Sequence, residues 1–184
     1  MSRIWPMFVV AVIAAQLAPG ADPAKPAISK VIDEQLSMIE SELVPLAEAM
    51  PADRYGFAPT EGAFQGARTF ALQVRHTSAL IYMFSASVLE EPNPSEEGEN
   101  QNGPASLRTK EELVKYLKAA FAYGHKAMKS LTAQNLTDMV NPAYGNNKVP
   151  RAAMANGAVW HTWDHYGQMA VYARMNGIVP PASR

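Results

Sequence analysis

An all-α four-helix bundle with long crossover connections is the fold this sequence predicts, on three observations. Four stretches carry apolar residues at three- and four-residue steps. Segments rich in Pro, Gly and Asn separate them. No stretch shows the two-residue alternation of a half-buried strand. With 48% hydrophobic residues, the chain has enough apolar material for one core, and four such helices joined by longish connections bury it as a bundle.

Residues 1–21 read as a signal peptide. Arg3 supplies a positive start, Met7 to Ala18 is almost wholly apolar, and the small residues Ala18, Gly20 and Ala21 follow. An apolar run of about a dozen residues suits a signal core and falls short of a bilayer span. The expectation is export to the periplasm or the medium, with no stable membrane anchor after cleavage. A short Pro-rich tail over 22–27 then precedes a single domain at 28–184.

From Ile28 to Met50, Val31, Ile32, Leu36, Ile39, Leu43, Leu46 and Ala47 trace one face of a first helix. Ser29 is its expected N-cap, and Pro45 is where it would bend or end early. Pro51 to Gly62 is a breaker-rich loop that Tyr55 and Phe57 would pack down. A second helix is expected from Ala63 or Gly66 to Leu89. On it His76 shares a side with Thr69, Leu72, Leu80 and Met83, so it faces the core. Glu90 to Ser106, with five Glu and almost nothing apolar, is expected as an exposed, mobile crossover. Thr109 and Glu112 form a capping-box pattern opening a third helix to about Leu131, with Leu113, Leu117, Phe121 and Met128 as its buried stripe. Thr132 to Pro150 is irregular. The last helix runs from Pro150 or Arg151 to Asn176, ended by Gly177 at C′ and Pro180-Pro181.

Composition removes several classes of function. A formal charge of −1, with basic residues scattered, gives no electrostatic footprint for nucleic acid. The absence of cysteine excludes disulfides, thiolate metal sites, iron–sulfur clusters and a cysteine nucleophile. Any metal must be held by His, carboxylate and solvent.

The chemistry lies in His161-Thr162-Trp163-Asp164-His165. Residues four apart on a helix have Cβ atoms roughly 5–6 Å apart, so both imidazoles can reach one divalent ion. On the helical wheel His165, Gln168 and Tyr172 fall within about 40° of His161, and Asp164 about 60° away. A core-facing stripe that polar needs partners. A metal ion held by His161, His165 and the inward-facing His76 would provide them, and would leave a coordination position open. The competing reading is hydrogen-bonded core or surface histidines. His125, with no second ligand-type residue one turn away, reads as structural or exposed. Thr162 stands where a zincin protease needs glutamate, and no Glu-x-x-His of a di-iron bundle occurs. There is no Gly-rich phosphate loop and no G-x-S-x-G elbow.

The stretch from His161 to Arg184, HTWDHYGQMAVYARMNGIVPPASR, resembles the last helix and tail of the DinB-like superfamily of metalloproteins, also called YfiT-like. The resemblance extends to Leu46–Pro59 and to the helix bearing His76, covering about residues 28–184. It implies a four-helix bundle, often a homodimer, with a metal on three histidines. By position these are His76, His161 and His165, the trio the spacing suggested. Nickel or zinc is the implied metal, with iron or manganese also in range, and the damage-inducible label implies no DNA contact.

Three functions compete. In a metal-dependent hydrolase of a small-molecule substrate, the ion would acidify bound water to a pKa of about 7. Asp164 and Gln168 are then the candidate catalytic residues, orienting that water or a ligand imidazole. In a thiol S-transferase the open position would take a low-molecular-weight thiol, although an exported chain sits poorly with cytosolic thiols. A non-catalytic exported bundle, stapled by its metal, is the third. Arg174, a cation that could meet an acidic substrate, lies off the His stripe.

Overall fold

The computed structural model describes residues 25–184, so the expected signal peptide and the first half of the tail lie outside the described residues. Helix α1 spans Ile28–Ala49, α2 Phe70–Leu89, α3 Lys110–Lys129 and α4 Arg151–Met175. Helix α2 packs on α3 and α4, and α1 packs on the same two from the other side. Thus α1 lies diagonal to α2, and α3 diagonal to α4. The connections α1–α2 and α3–α4 must cross the bundle end, whereas α2–α3 joins neighbouring helices. Among the described residues no helix is long and apolar enough to cross a membrane.

Each helix forms for a reason visible in its sequence, with corrections at the ends. Helix α1 buries Leu36, Ile39, Leu43, Leu46 and Ala47 along the expected stripe and continues through Pro45. Its N-cap is Ala27, without a side-chain bond, and Ser29 lies inside the first turn. Helix α2 begins only at Phe70, because Gly62 and Gly66 take positive φ and break the chain. Thr69 caps it, its Oγ1 accepting from Leu72 N at 3.2 Å. The expected box opens α3: Thr109 Oγ1 accepts from Glu112 N, and Glu112 Oε2 accepts from Thr109 N at 2.9 Å. After α4, Gly177 adopts φ 76° and Ile178 N closes on Ala173 O.

Two connections differ from expectation. Within 132–150, read as irregular, Met139–Val140 and Val149–Pro150 form a two-residue antiparallel ribbon. Strands this short carry no alternation, and the pairing arises from docking on the start of α4, where Arg151 N donates to Asp138 O and Ala152 N to Leu136 O. The Glu90–Ser106 crossover is exposed, as its composition requires, but polar bonds tether it. Arg75 Nε donates to Asn102 O at 2.6 Å and Arg68 Nε to Asn102 Oδ1 at 2.8 Å. A Cβ at Gly98, whose φ is 67°, would stand 2.1 Å from Gly103 O, so this loop closes only on glycine.

Close helix approach positions the site. A Cβ at Gly157 would come within 2.6 Å of the buried Phe84 ring, so glycine lets α4 settle against α2 one turn before His161. The ring of Phe84 in turn lies 5.9 Å from that of His161.

His125 of α3 is structural, clamping α1. Its Nδ1 lies 2.6 Å from Asp33 Oδ1 and its Nε2 2.9 Å from Glu40 Oε2, with Lys129 facing Asp33 from farther off. Burial lowers its pKa, but the bonds to Glu40 and Asp33 outweigh this and the net shift is upward. A raised folded pKa gives stability that is full below the unfolded value of about 6.5 and lost as pH rises through the folded one. His125→Gln should therefore cost more stability at about pH 6 than at about pH 9. Urea denaturation at both pH values checks this, and an equal loss at both would show that the clamp does not depend on the charged ring.

Candidate metal centre

Helix α2 is buried nearly all round, including the polar Gln73, His76, Thr77 and Ser78. Thr77 and Ser78 return their hydroxyls to Gln73 O and Val74 O one turn back. Gln73 and His76 instead face α4, where His161 and His165 face them. Ring centroids are 5.4 Å apart for His76–His161, 4.7 Å for His76–His165 and 4.5 Å for His161–His165. One ring nitrogen from each of the three converges, all within 4.8 Å of one another. No fourth His, Asp or Glu joins this group among the described residues.

Hydrogen bonds fix two of the three tautomers. His76 Nδ1 lies 2.8 Å from Gln101 O, a pure acceptor, so Nδ1 carries the proton and Nε2 keeps its lone pair. The His165 tautomer is set from Asp164 inward. Its carboxylate can only accept, so Gln168 Nε2 donates to it at 3.2 Å. That leaves Gln168 Oε1 to accept from Gln73 Nε2 at 2.8 Å. Gln73 Oε1 therefore accepts from His165 Nδ1 at 2.6 Å, and His165 Nε2 is left free. His161 Nδ1 is buried without a hydrogen-bond partner. Two oriented imidazoles and a third with an orphaned nitrogen are a donor set suited to a borderline divalent ion.

Electrostatics keep the rings neutral. Burial first, then the charges of His161, His76 and Arg68, push His165 down to about 3. Burial likewise lowers His76 to about 4, against the Gln101 bond and with help from Arg68 and His161. His161 is lowered by burial, partly countered by Asp164. Neutral imidazole is the ligating form, so no proton need be displaced at pH 7.

The sequence-predicted residues thus divide. His76, His161 and His165 meet. Asp164 and Gln168 are exposed and lie at the outer end of a relay that reaches His165 through Gln73. Tyr172, on the same wheel stripe, is buried against Phe57 at a centroid distance of 5.8 Å. Arg174 is exposed and bonds Ser183. Sequence reasoning missed Gln73, Gln101 and Arg68. Gln73 carried a signal, being one turn before His76 on its face. The carbonyl of Gln101, part of an exposed loop, carried none.

Solved structures show the same fold. A conserved protein from Enterococcus faecalis is 14% identical, with 82% of this chain and 98% of that chain covered at a TM-score of 0.64. A DinB-like protein from Bacillus subtilis is 20% identical, covering 80% and 92% at 0.59. One from Bacillus cereus is 14% identical, covering 83% and 95% at 0.64. No curated protein matches the chain. The sequence pattern of the DinB superfamily matches residues 35–169, which takes in all three histidines. On that match the chain belongs to the DinB superfamily.

Proposed function

We propose that the chain is a metal-dependent hydrolase of a small molecule, with His76, His161 and His165 holding nickel or zinc. The observation that carries this reading is the convergence of three neutral imidazoles with no fourth His, Asp or Glu among the described residues. The other polar side chains of the stripe are engaged elsewhere: Gln168 with Gln73 and Asp164, Tyr172 with Phe57. That supports a catalytic centre over a metal staple. When bound, a divalent ion with an open position lowers the pKa of water to about 7 and polarises a substrate carbonyl. The protein's own part is orientation. Gln101 holds His76, and the Asp164–Gln168–Gln73 relay holds His165 in the ligating tautomer. Asp164, exposed to solvent at the end of that relay, is the carboxylate that sets its polarity.

The first test is elemental analysis of the chain lacking residues 1–21, purified from its native compartment. Near-stoichiometric nickel or zinc is expected, lost in both His76→Ala and His165→Ala. A folded chain that neither carries nor takes up metal would sink the catalytic reading. Activity appearing only with an added low-molecular-weight thiol would assign transfer instead of hydrolysis. Export and homodimer formation belong to the same proposal, supported by the Met7–Ala18 run and by the exposed Trp160, Val171 and Met175 of α4. The mass of the native protein tests both: a full-length N-terminus or a single-chain assembly would remove the respective claim.

A further inference from the structure

A cavity of about 430 Å3 opens beside the Gln73–Gln168 relay, lined among others by Arg68, Gln73, Asn100, Asn102 and Gln168. Its polar lining is one guanidinium and four side-chain amides, with no carboxylate. Two of those amides, Gln73 and Gln168, are links in the relay to His165. None of the three histidines lines the cavity, which meets the metal centre through Gln73, the residue bonded to His165. The charge of Arg68 is nevertheless felt by all three imidazoles.

Arg68 itself is half-buried and lacks a counter-ion. Its Nε donates to Asn102 Oδ1 and its Nη2 to Asn100 O at 3.3 Å, both neutral acceptors. No carboxylate of the described residues lies within 4.0 Å of it. A guanidinium has five N–H donors, so three remain for a ligand. A partly desolvated cation without a partner is costly, and an anion entering the cavity would repay that cost. Among the described residues Arg75 also has only carbonyl partners, Asn102 O and Leu107 O, but it does not line the cavity, and the buried Arg151 is paired with Glu90.

We propose that Arg68 and the surrounding amides form a carboxylate subsite, so that this centre acts on small molecules bearing a single negative charge. The charge follows from one unpaired cation, and the planar two-oxygen group from the guanidinium fork. The four amides would pair with polar groups next to the carboxylate, an amide or ester linkage among them. This substrate class rests on the metal-hydrolase reading, whereas the binding of the anion to Arg68 does not.

The test titrates N-acetylglycine, and separately the neutral N-acetylglycinamide, into zinc-loaded and zinc-free chain, following the Arg68 side-chain N–H resonance and isothermal heats. The acid should bind at least about tenfold tighter than the neutral amide. Arg68→Gln should abolish that preference while zinc stoichiometry and thermal midpoint stay near those of the parent. Arg68→Lys, which keeps charge but loses the fork, should fall between. Equal binding of the two probes, or no binding of either, would overturn the subsite even where zinc binds. Charge-dependent binding to a chain that takes up no zinc would uphold the subsite and refute the hydrolase reading.

Discussion

Replacing Gln73 by leucine is expected to weaken metal binding by about ten- to a hundredfold, although Gln73 touches no metal. Its Oε1 is the acceptor that pins the His165 proton on Nδ1, and its Nε2 links that ring to Gln168 and Asp164. Leucine has a similar volume but accepts nothing, so His165 loses both its fixed orientation and its preference for the ligating tautomer. The buried Nδ1–H would also lose its partner, at a cost of about 1–3 kcal/mol. Competition with a chromogenic chelator gives the affinity. Gln73→Glu, which still presents an acceptor to Nδ1, should recover most of it. If leucine and glutamate bind metal as well as glutamine does, the relay has no part in the site. Asp164→Asn gives a milder version of the same test, since an amide at the relay's end no longer dictates its direction.

The metal-free chain is expected to lose stability steeply in mild acid. His76 and His165 have folded pKa values pushed down to about 4 and about 3, mainly by burial. Both are ordinary in the unfolded chain, near about 6.5. The unfolded state therefore binds protons that the folded state refuses. The contribution is neutral above about 6.5 and turns against folding as pH falls towards the folded values. Each unit of depression is worth about 1.4 kcal/mol, so the two rings together cost several kcal/mol by about pH 4. This is the reverse of His125, whose clamp weakens as pH rises. Denaturation of the metal-free chain at about pH 7 and about pH 4.5 measures the loss, and the histidine resonances report which ring titrates. His76→Asn/His165→Asn should flatten the slope. Resonances of His76 and His165 that titrate near 6.5 in the folded chain would contradict it. Acid should also strip metal, because protonated imidazole cannot ligate.

Much of this molecule was legible in the residues. The four helices, the capping box at Thr109, the Gly177 stop and the inward direction of His76 follow from local rules, and local rules act within a few residues. The H-x-x-x-H pair was legible for the same reason, one turn of helix fixing its spacing whatever surrounds it. The core-facing side of His76 on its own helix made it the third candidate, and the family resemblance carries over the same trio.

Local rules stopped at helix ends and connections. Whether α2 began at Gly66 or Phe70 depended on how the 51–69 loop packs its Tyr55 and Phe57. The Met139–Val140 ribbon exists only because it docks on α4. The wheel placed Gln168, Asp164 and Tyr172 on one stripe with the histidines, but it could not say that α2 covers part of that stripe. Gln73 turns Gln168 and Asp164 into an orienting relay, while Tyr172 packs on Phe57. The crossover read as solvent-exposed polar chain, and its sequence held no sign that Gln101 would present its carbonyl to His76 or that Asn100 and Asn102 would anchor Arg68. Those contacts join residues 25 to more than 90 positions apart. Sequence by itself determined the helices and the ligand types. The packing of α2 on α4, and of the 90–106 crossover on α2, decided which partners orient those ligands and which cation faces the cavity, because such choices depend on groups that only folding brings together.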